Sequence, residues 1–297
     1  MLGKLAIFVG LAGLALGAAL AITRSPALPA DLFAQLQSGD VARGEQVFWA
    51  AGCASCHSAP NATGAAKLVL AGGRAFETGF GTFYAPNISP DPVAGIGGWG
   101  VADLANAMLA GRAPDGSHYY PAFPYAAYQH ASLQDVADLS AYLATLPRDS
   151  TPSRGHDLGF PFNIRTGLGL WKAAFMPRGF VLAGDLPPEA ARGRYLVEGL
   201  GHCGECHTPR NIAGGLQTAR WLAGAPNPNG RGTVPNITPA ALDWSRADIM
   251  AYLETGFTPE YDSAGGHMAE VVENFAKLPE SDRAAVAAYL KLLPSLP

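Results

Sequence analysis

Apolar residues recur at three- and four-residue steps from Val101 to Ala110 and from Ala247 to Thr255, and both stretches run into a glycine, Gly111 and Gly256. That periodicity predicts amphipathic helices closed by a left-handed cap. Ser132-Leu133-Gln134-Asp135 and Ser281-Asp282-Arg283-Ala284 open a further pair of helices, the first with the spacing of an N-capping box. No alternating pattern of useful length occurs, so strands are not expected. Ahead of these elements Lys4 precedes an uncharged run from Leu5 to Ile22, whose 18 residues reach the lower limit for a membrane-spanning helix. Residues 1–24 are therefore read as an uncleaved anchor with its terminus on the cytoplasmic side. A cleaved signal peptide is the competing reading, against which Thr23-Arg24-Ser25-Pro26 offers no clear small-x-small site.

The helical pattern is repeated, and landmarks between the helices repeat with it. Pro86-Asn87-Ile88-Ser89-Pro90 matches Pro235-Asn236-Ile237-Thr238-Pro239. Trp99 and Asp103 match Trp244 and Asp248 at the same separation, and Ala141-Tyr142-Leu143 with Pro147 matches Ala288-Tyr289-Leu290 with Pro294. Arg43-Gly44 and Arg192-Gly193 open the two copies. Two homologous domains are expected, at residues 37–147 and 188–297. The stretch between them, residues 148–187, is rich in Gly, Pro and aromatics, as in Phe160-Pro161-Phe162-Asn163. A flexible spacer would lack such large apolar groups, so it is read as a packed connector, with partner docking as the alternative.

Composition narrows the class without naming a chemistry. A formal charge of −4 with pI near 6.0 gives no support for nucleic-acid binding, which requires a basic patch. The 297 residues suffice for two small domains.

The chemistry lies in two pentapeptides, Cys53-Ala54-Ser55-Cys56-His57 and Cys203-Gly204-Glu205-Cys206-His207. Two thiols three positions apart on one helical turn can each add to a vinyl group of a porphyrin while the adjoining histidine comes under the iron. The two matches consume all four cysteines, leaving no further pair for a zinc site and none for a disulfide. Two covalently bound haem c groups follow, on Cys53, Cys56, Cys203 and Cys206, with His57 and His207 as proximal ligands. Covalent attachment in bacteria takes place outside the inner membrane, so both haem domains are expected in the periplasm.

The second axial ligand decides what each iron does. Met268 falls between the Gly256 helix end and the Ser281 helix start, in a segment read as a loop from which a thioether reaches the second iron. His/Met ligation raises the potential and suits electron transfer. Counting on equally from Gly111 gives Phe123, which cannot bind iron. For the first haem His130 is preferred, with His118 as the alternative and a vacant iron as a third possibility. Met108 aligns with Leu253 inside a helix and is read as packing, and Met176 lies in the connector.

Longer segments carry a family resemblance: Gly79-Phe80-Gly81-Thr82-Phe83-Tyr84-Ala85-Pro86-Asn87-Ile88-Ser89-Pro90-Asp91, Gly95-Ile96-Gly97-Gly98-Trp99, and Asp115-Gly116-Ser117-His118-Tyr119-Tyr120-Pro121-Ala122-Phe123-Pro124-Tyr125. Over about residues 37–297 the chain resembles the multihaem cytochrome c subunits of periplasmic alcohol, gluconate and nicotinate-type dehydrogenases. The resemblance implies an all-α fold of two tandem class I cytochrome c domains, here behind an N-terminal transmembrane helix. It also implies electrons passed from a dehydrogenase toward quinone or a terminal oxidase. Those subunits often carry three haem motifs and a methionine in the Tyr-Pro-Ala-Met-Pro-Tyr segment, where this chain has two motifs and Phe123.

The expected protein is thus a dihaem electron carrier tethered to the bacterial inner membrane by its N-terminal helix. It would exchange electrons with donor and acceptor proteins, among them a dehydrogenase, a bc1-type complex or a terminal oxidase, and have no independent catalysis. The alternative is a dihaem peroxidase or thiosulfate-oxidising cytochrome that uses the first haem as an open site.

Overall fold

The computed structural model describes residues 23–227 and 232–297, with Gly13 and Gly17 ahead of them. The first half contains α1 (Val41–Ala50), α2 (Cys53–His57), α3 (Val101–Ala110), α4 (Tyr125–Tyr128) and α5 (Leu133–Leu143). The connector adds α6 (Leu168–Phe175). The second half repeats the series as α7 (Pro188–Arg194), α8 (Gly204–His207), α9 (Arg246–Thr255), α10 (His267–Phe275) and α11 (Glu280–Leu292).

Gly111, Gly256 and Ser132 cap their helices as the sequence predicts, whereas Ser281 lies one residue inside α11, whose N-cap is Pro279. Gly111 and Gly256 take φ of 57° and 79° at the ends of α3 and α9. Ser132 Oγ accepts the Asp135 N–H at 3.0 Å at the start of α5. Ser245 and Asp248 form a reciprocal capping box on α9, with N–H bonds of 3.1 and 3.0 Å.

Each half is built on a crossing of its first and last helices, α1 on α5 and α7 on α11. Glycine makes the crossings possible. A Cβ on Gly44 would stand 2.0 Å from the Asp138 carbonyl oxygen, and one on Gly193 would stand 1.9 Å from that of Ala285. The neighbouring arginines fasten the same crossings: Arg43 Nε bonds the fully buried Asp138 at 2.7 Å, and Arg192 bonds Asp282 twice at 2.8 Å. Between Gly193 and Cys203 the second copy is one residue longer than the first between Gly44 and Cys53. A π-helical turn at Tyr195–Leu200 absorbs that residue. It turns Glu198 into the core, where the carboxylate accepts the Tyr289 hydroxyl at 2.5 Å and the Leu182 N–H at 3.1 Å.

The structure corrects the expectation of an all-α chain. Strands β1 (Ala75–Thr78), β2 (Gly81–Tyr84) and β3 (Asp157–Leu158) form an antiparallel sheet in that order, with Phe76 opposite Phe83 and Thr82 opposite Asp157. Strands β4 (Ala225–Pro226) and β5 (Thr233–Val234) pair in the second half. Strands of two to four residues are too short to leave a period-two signal, and β3 pairs only because the connector folds back on the first half. The second part of that expectation, a membrane-spanning helix over Leu5 to Ile22, falls almost wholly outside the described residues. Among the described residues no helix is long and apolar enough to cross a membrane.

The connector packs as expected of its composition. Lys172 Nζ donates to the carbonyls of Ala110 and Gly111 at 2.7 and 2.8 Å, satisfying the end of α3. Trp171 donates its indole N–H to the Ala213 carbonyl at 2.8 Å, so one short helix touches both halves.

Candidate haem sites

Both Cys-x-x-Cys-His segments are single helical turns, α2 and α8, and the same device positions the histidine of each. Asn87 Oδ1 accepts the Ser89 N–H at 2.8 Å while its amide donates to the carbonyls of Asp149 and Thr151. Asn236 accepts the Thr238 N–H at 2.8 Å and donates to the Leu296 carbonyl. This pins each Pro-Asn-Ile segment to the chain following the last helix of its half. The preceding proline then presents its carbonyl oxygen to the histidine: His57 Nδ1 lies 2.7 Å from Pro86 O and His207 Nδ1 2.8 Å from Pro235 O. A carbonyl only accepts, so each Nδ1 carries the proton and each Nε2 keeps its lone pair. Burial lowers both imidazole pKa values and outweighs the opposing carbonyl bonds, which leaves the rings neutral near pH 7. A metal-binding histidine has this form, fixed by the bond at its other nitrogen.

The thiols lack the lowered pKa of a redox-exchange centre. Burial pushes Cys53 and Cys203 up to about 12 and Cys56 up to about 11. A thiol–disulfide centre requires the opposite shift. Among the described residues no cluster of three His, Cys, Asp or Glu side chains could hold a metal ion by itself.

Cys53, Cys56 and His57 open on a cavity of about 430 Å³. Its walls are mostly apolar, with Ile88, Trp99, Leu104, Met108, Phe123 and Tyr128 among them. A flat, largely apolar macrocycle bound by two thioethers and one imidazole fits such a space, and the polar side chains at one end suit its carboxylates.

The structure also settles the register of the two distal segments. Tyr119 N–H donates to Gly111 O at 2.8 Å, and Ala264 N–H donates to Gly256 O at the same distance. Bridges at Arg112–His118 and Phe257–Ser263 repeat the same small turn. Four residues beyond each turn stand Phe123 and Met268. Met268 is partly buried against the core, but at the start of α10 and not in a loop as expected.

The two histidines considered for the first iron are directed elsewhere. His118 is buried with Nε2 at 2.8 Å from the Thr23 carbonyl, and His130 stacks on Phe180 at 4.4 Å between ring centroids. Neither lines the cavity, which instead includes Met108, His156 and His202. Sequence reasoning passed over His202 because it lies just outside the Cys203 pentapeptide, and over His156 because it lies in the connector.

His202 is part of a tight junction between the halves. Its Nδ1 bonds the Leu200 carbonyl at 2.9 Å, its ring meets Tyr128 edge-on at 5.5 Å, and its φ of 40° is rare for a residue other than glycine. Around it α10 of the second half lies across α2 of the first. Asn274 Nδ2 donates to Ser55 Oγ at 2.9 Å, Arg74 bonds Glu270 at 2.7 Å as well as the Ser55 carbonyl, and Lys67 pairs with Glu273. The helix that carries Met268 in its first turn therefore rests on the attachment turn of the other half.

Comparison with known proteins agrees with this geometry. A cytochrome c family model matches residues 41–147. A dihaem c-type cytochrome of Cereibacter sphaeroides is 59% identical over 290 residues, covering 96% of this chain and 98% of that protein. The fructose dehydrogenase cytochrome subunit of Gluconobacter japonicus is 39% identical over 264 residues, covering 86% of this chain and 53% of the relative. A nicotinate dehydrogenase subunit of Pseudomonas putida is 38% identical over 271 residues, 86% of this chain but 21% of that protein. The chain thus spans nearly the whole of the first relative, about half of the second and about a fifth of the third.

Proposed function

The chain belongs to the dihaem cytochromes c, and from that premise we propose that it is an electron-transfer protein working between a dehydrogenase and a downstream acceptor in the periplasm. It carries two covalently bound haem c groups, which supply one-electron iron chemistry when bound. Cys53, Cys56, Cys203 and Cys206 hold them, with His57 and His207 as proximal ligands. The domains are residues 37–147 and 188–297, joined by the connector.

The observation that carries the reading is the junction at His202, where the residue before one attachment turn reaches the cavity beside the other. Two such sites packed against each other suit passage of electrons through the protein better than two independent reactions. A dehydrogenase donor is supported by the names of the fructose and nicotinate dehydrogenase relatives. A terminal oxidase or a bc1-type complex is a suitable acceptor.

Both irons have the His/Met ligation that suits electron transfer. Met268 is the distal ligand of the second haem. For the first, Met108 takes that role ahead of His130 and His118, because its thioether is buried in the cavity wall while theirs face other partners.

The test is a spectroelectrochemical titration of the full chain with hydrogen peroxide or cyanide added. Two low-spin haems that bind neither reagent support the carrier. Peroxide turnover or ready cyanide binding at the first haem would replace it with the dihaem peroxidase.

A further inference from the structure

The polar end of the first cavity comes from the connector. Ser153, Arg154, His156 and Arg165 line it together. Arg154 stacks with its Cζ 3.9 Å from the centre of the Tyr84 ring, and Arg165 lies 5.2 Å from that of Tyr120. Arg165 also reaches Ser117 Oγ at 3.4 Å. Asp115 is near enough to feel its charge, but among the described residues no carboxylate pairs with Arg154 or Arg165 within 4.0 Å. Two guanidinium groups held on aromatic faces at the edge of an apolar cavity are binding groups for an anion.

His156 completes the set. Its ring packs edge-on against Phe83 and Tyr120 at 5.3 and 5.4 Å, and its Nδ1 accepts the Tyr84 N–H at 3.1 Å. Nδ1 therefore holds the lone pair and Nε2 holds the proton. This is the reverse of His57, so His156 is a hydrogen-bond donor in the cavity and not an iron ligand.

We propose that Arg154, His156 and Arg165 hold the propionate carboxylates of the haem carried on Cys53 and Cys56. The connector thereby serves as the anion-binding wall of the first site and sets its potential. The inference rests on reading this cavity as the seat of the first haem. Positive charge beside the propionates favours the reduced iron, so its removal shifts that equilibrium toward the oxidised form.

The experiment is a redox titration of the full holoprotein as wild type, R154Q, R165Q, the double Gln variant and the matching Lys variants, with haem counted per chain. The double Gln variant is expected to shift one haem's reduction equilibrium about tenfold toward oxidised, about 59 mV for one electron. The other haem stays unmoved, and the Lys variants recover part of the shift. Two haems per chain with unchanged midpoints in both single Gln variants would overturn the cradle alone. Fewer than two haems in the wild type would overturn the assignment of the cavity itself. If the double variant does not accumulate, the singles carry the decision.

Discussion

His202, the residue before Cys203, stands against Gly52, the residue before Cys53: its Cε1 lies 3.7 Å from where a Cβ on Gly52 would be. The same position of the two repeats therefore meets itself across the junction. Gly52 has φ of 65° and adds no side chain to the gap, while His202 fills it and reaches the first cavity.

His202→Ala is expected to keep two haems per chain and slow electron exchange between them several-fold. Pulse reduction followed by absorbance at each haem reads the rate. An unchanged rate would mean that electrons cross elsewhere.

Met108→Leu is expected to alter the spectrum of one haem and lower its midpoint, because a thioether ligand raises potential. Met268→Leu should do the same to the other haem. Redox titration of the two variants and their combination checks both, and a single haem responding to both changes would refute the assignment.

Gly44→Ala and Gly193→Ala force a methyl against a helix carbonyl that now lies about 2 Å from its position. Each is expected to cost about 1–3 kcal/mol, the usual penalty for overpacking a close crossing. Chemical denaturation measures it, and a loss below about 0.5 kcal/mol would show that α1 and α7 can shift to make room.

Asp138 gives a dependence on pH. Burial pushes its carboxyl up, but bonds from the Arg43 side chain, the Asp40 N–H and Gln134 outweigh this and hold it below the ordinary aspartate value. Its stabilising contribution is therefore fully present above about pH 4, the unfolded value, and is lost as pH falls through the lower folded value. Asp138→Ala should flatten the acid limb of the stability profile and cost about 1–3 kcal/mol at neutral pH, since the Asp40 N–H loses its acceptor.

Arg74→Ala removes the pair with Glu270 at 2.7 Å that clasps the halves together, along with a bond to the Ser55 carbonyl within the first half. The expected loss is about 1 kcal/mol and is smaller at high salt. Equilibrium unfolding in low and high salt tests it. Equal losses at both ionic strengths would point to packing rather than charge.

What the sequence determined by itself is local or recurrent. The pentapeptides specify covalent haem by their spacing, the capped helices ending at Gly111 and Gly256 follow from neighbours a few residues apart, and the repeat aligns Phe123 with Met268 by counting. The tertiary structure decided what depends on residues far apart in the chain. His118 turns to Thr23 and His130 to Phe180, Met108 joins the cavity, and Met268 sits in the first turn of a helix that rests on the other half. The strands escaped notice because two to four residues carry too little periodicity, and β3 exists only where the connector returns. A ligand, a bridge or a charged wall is a matter of direction and approach in space. Such relations leave no fixed interval in the sequence, as His156, Arg165 and His202 show by meeting at one cavity from two separate stretches of chain.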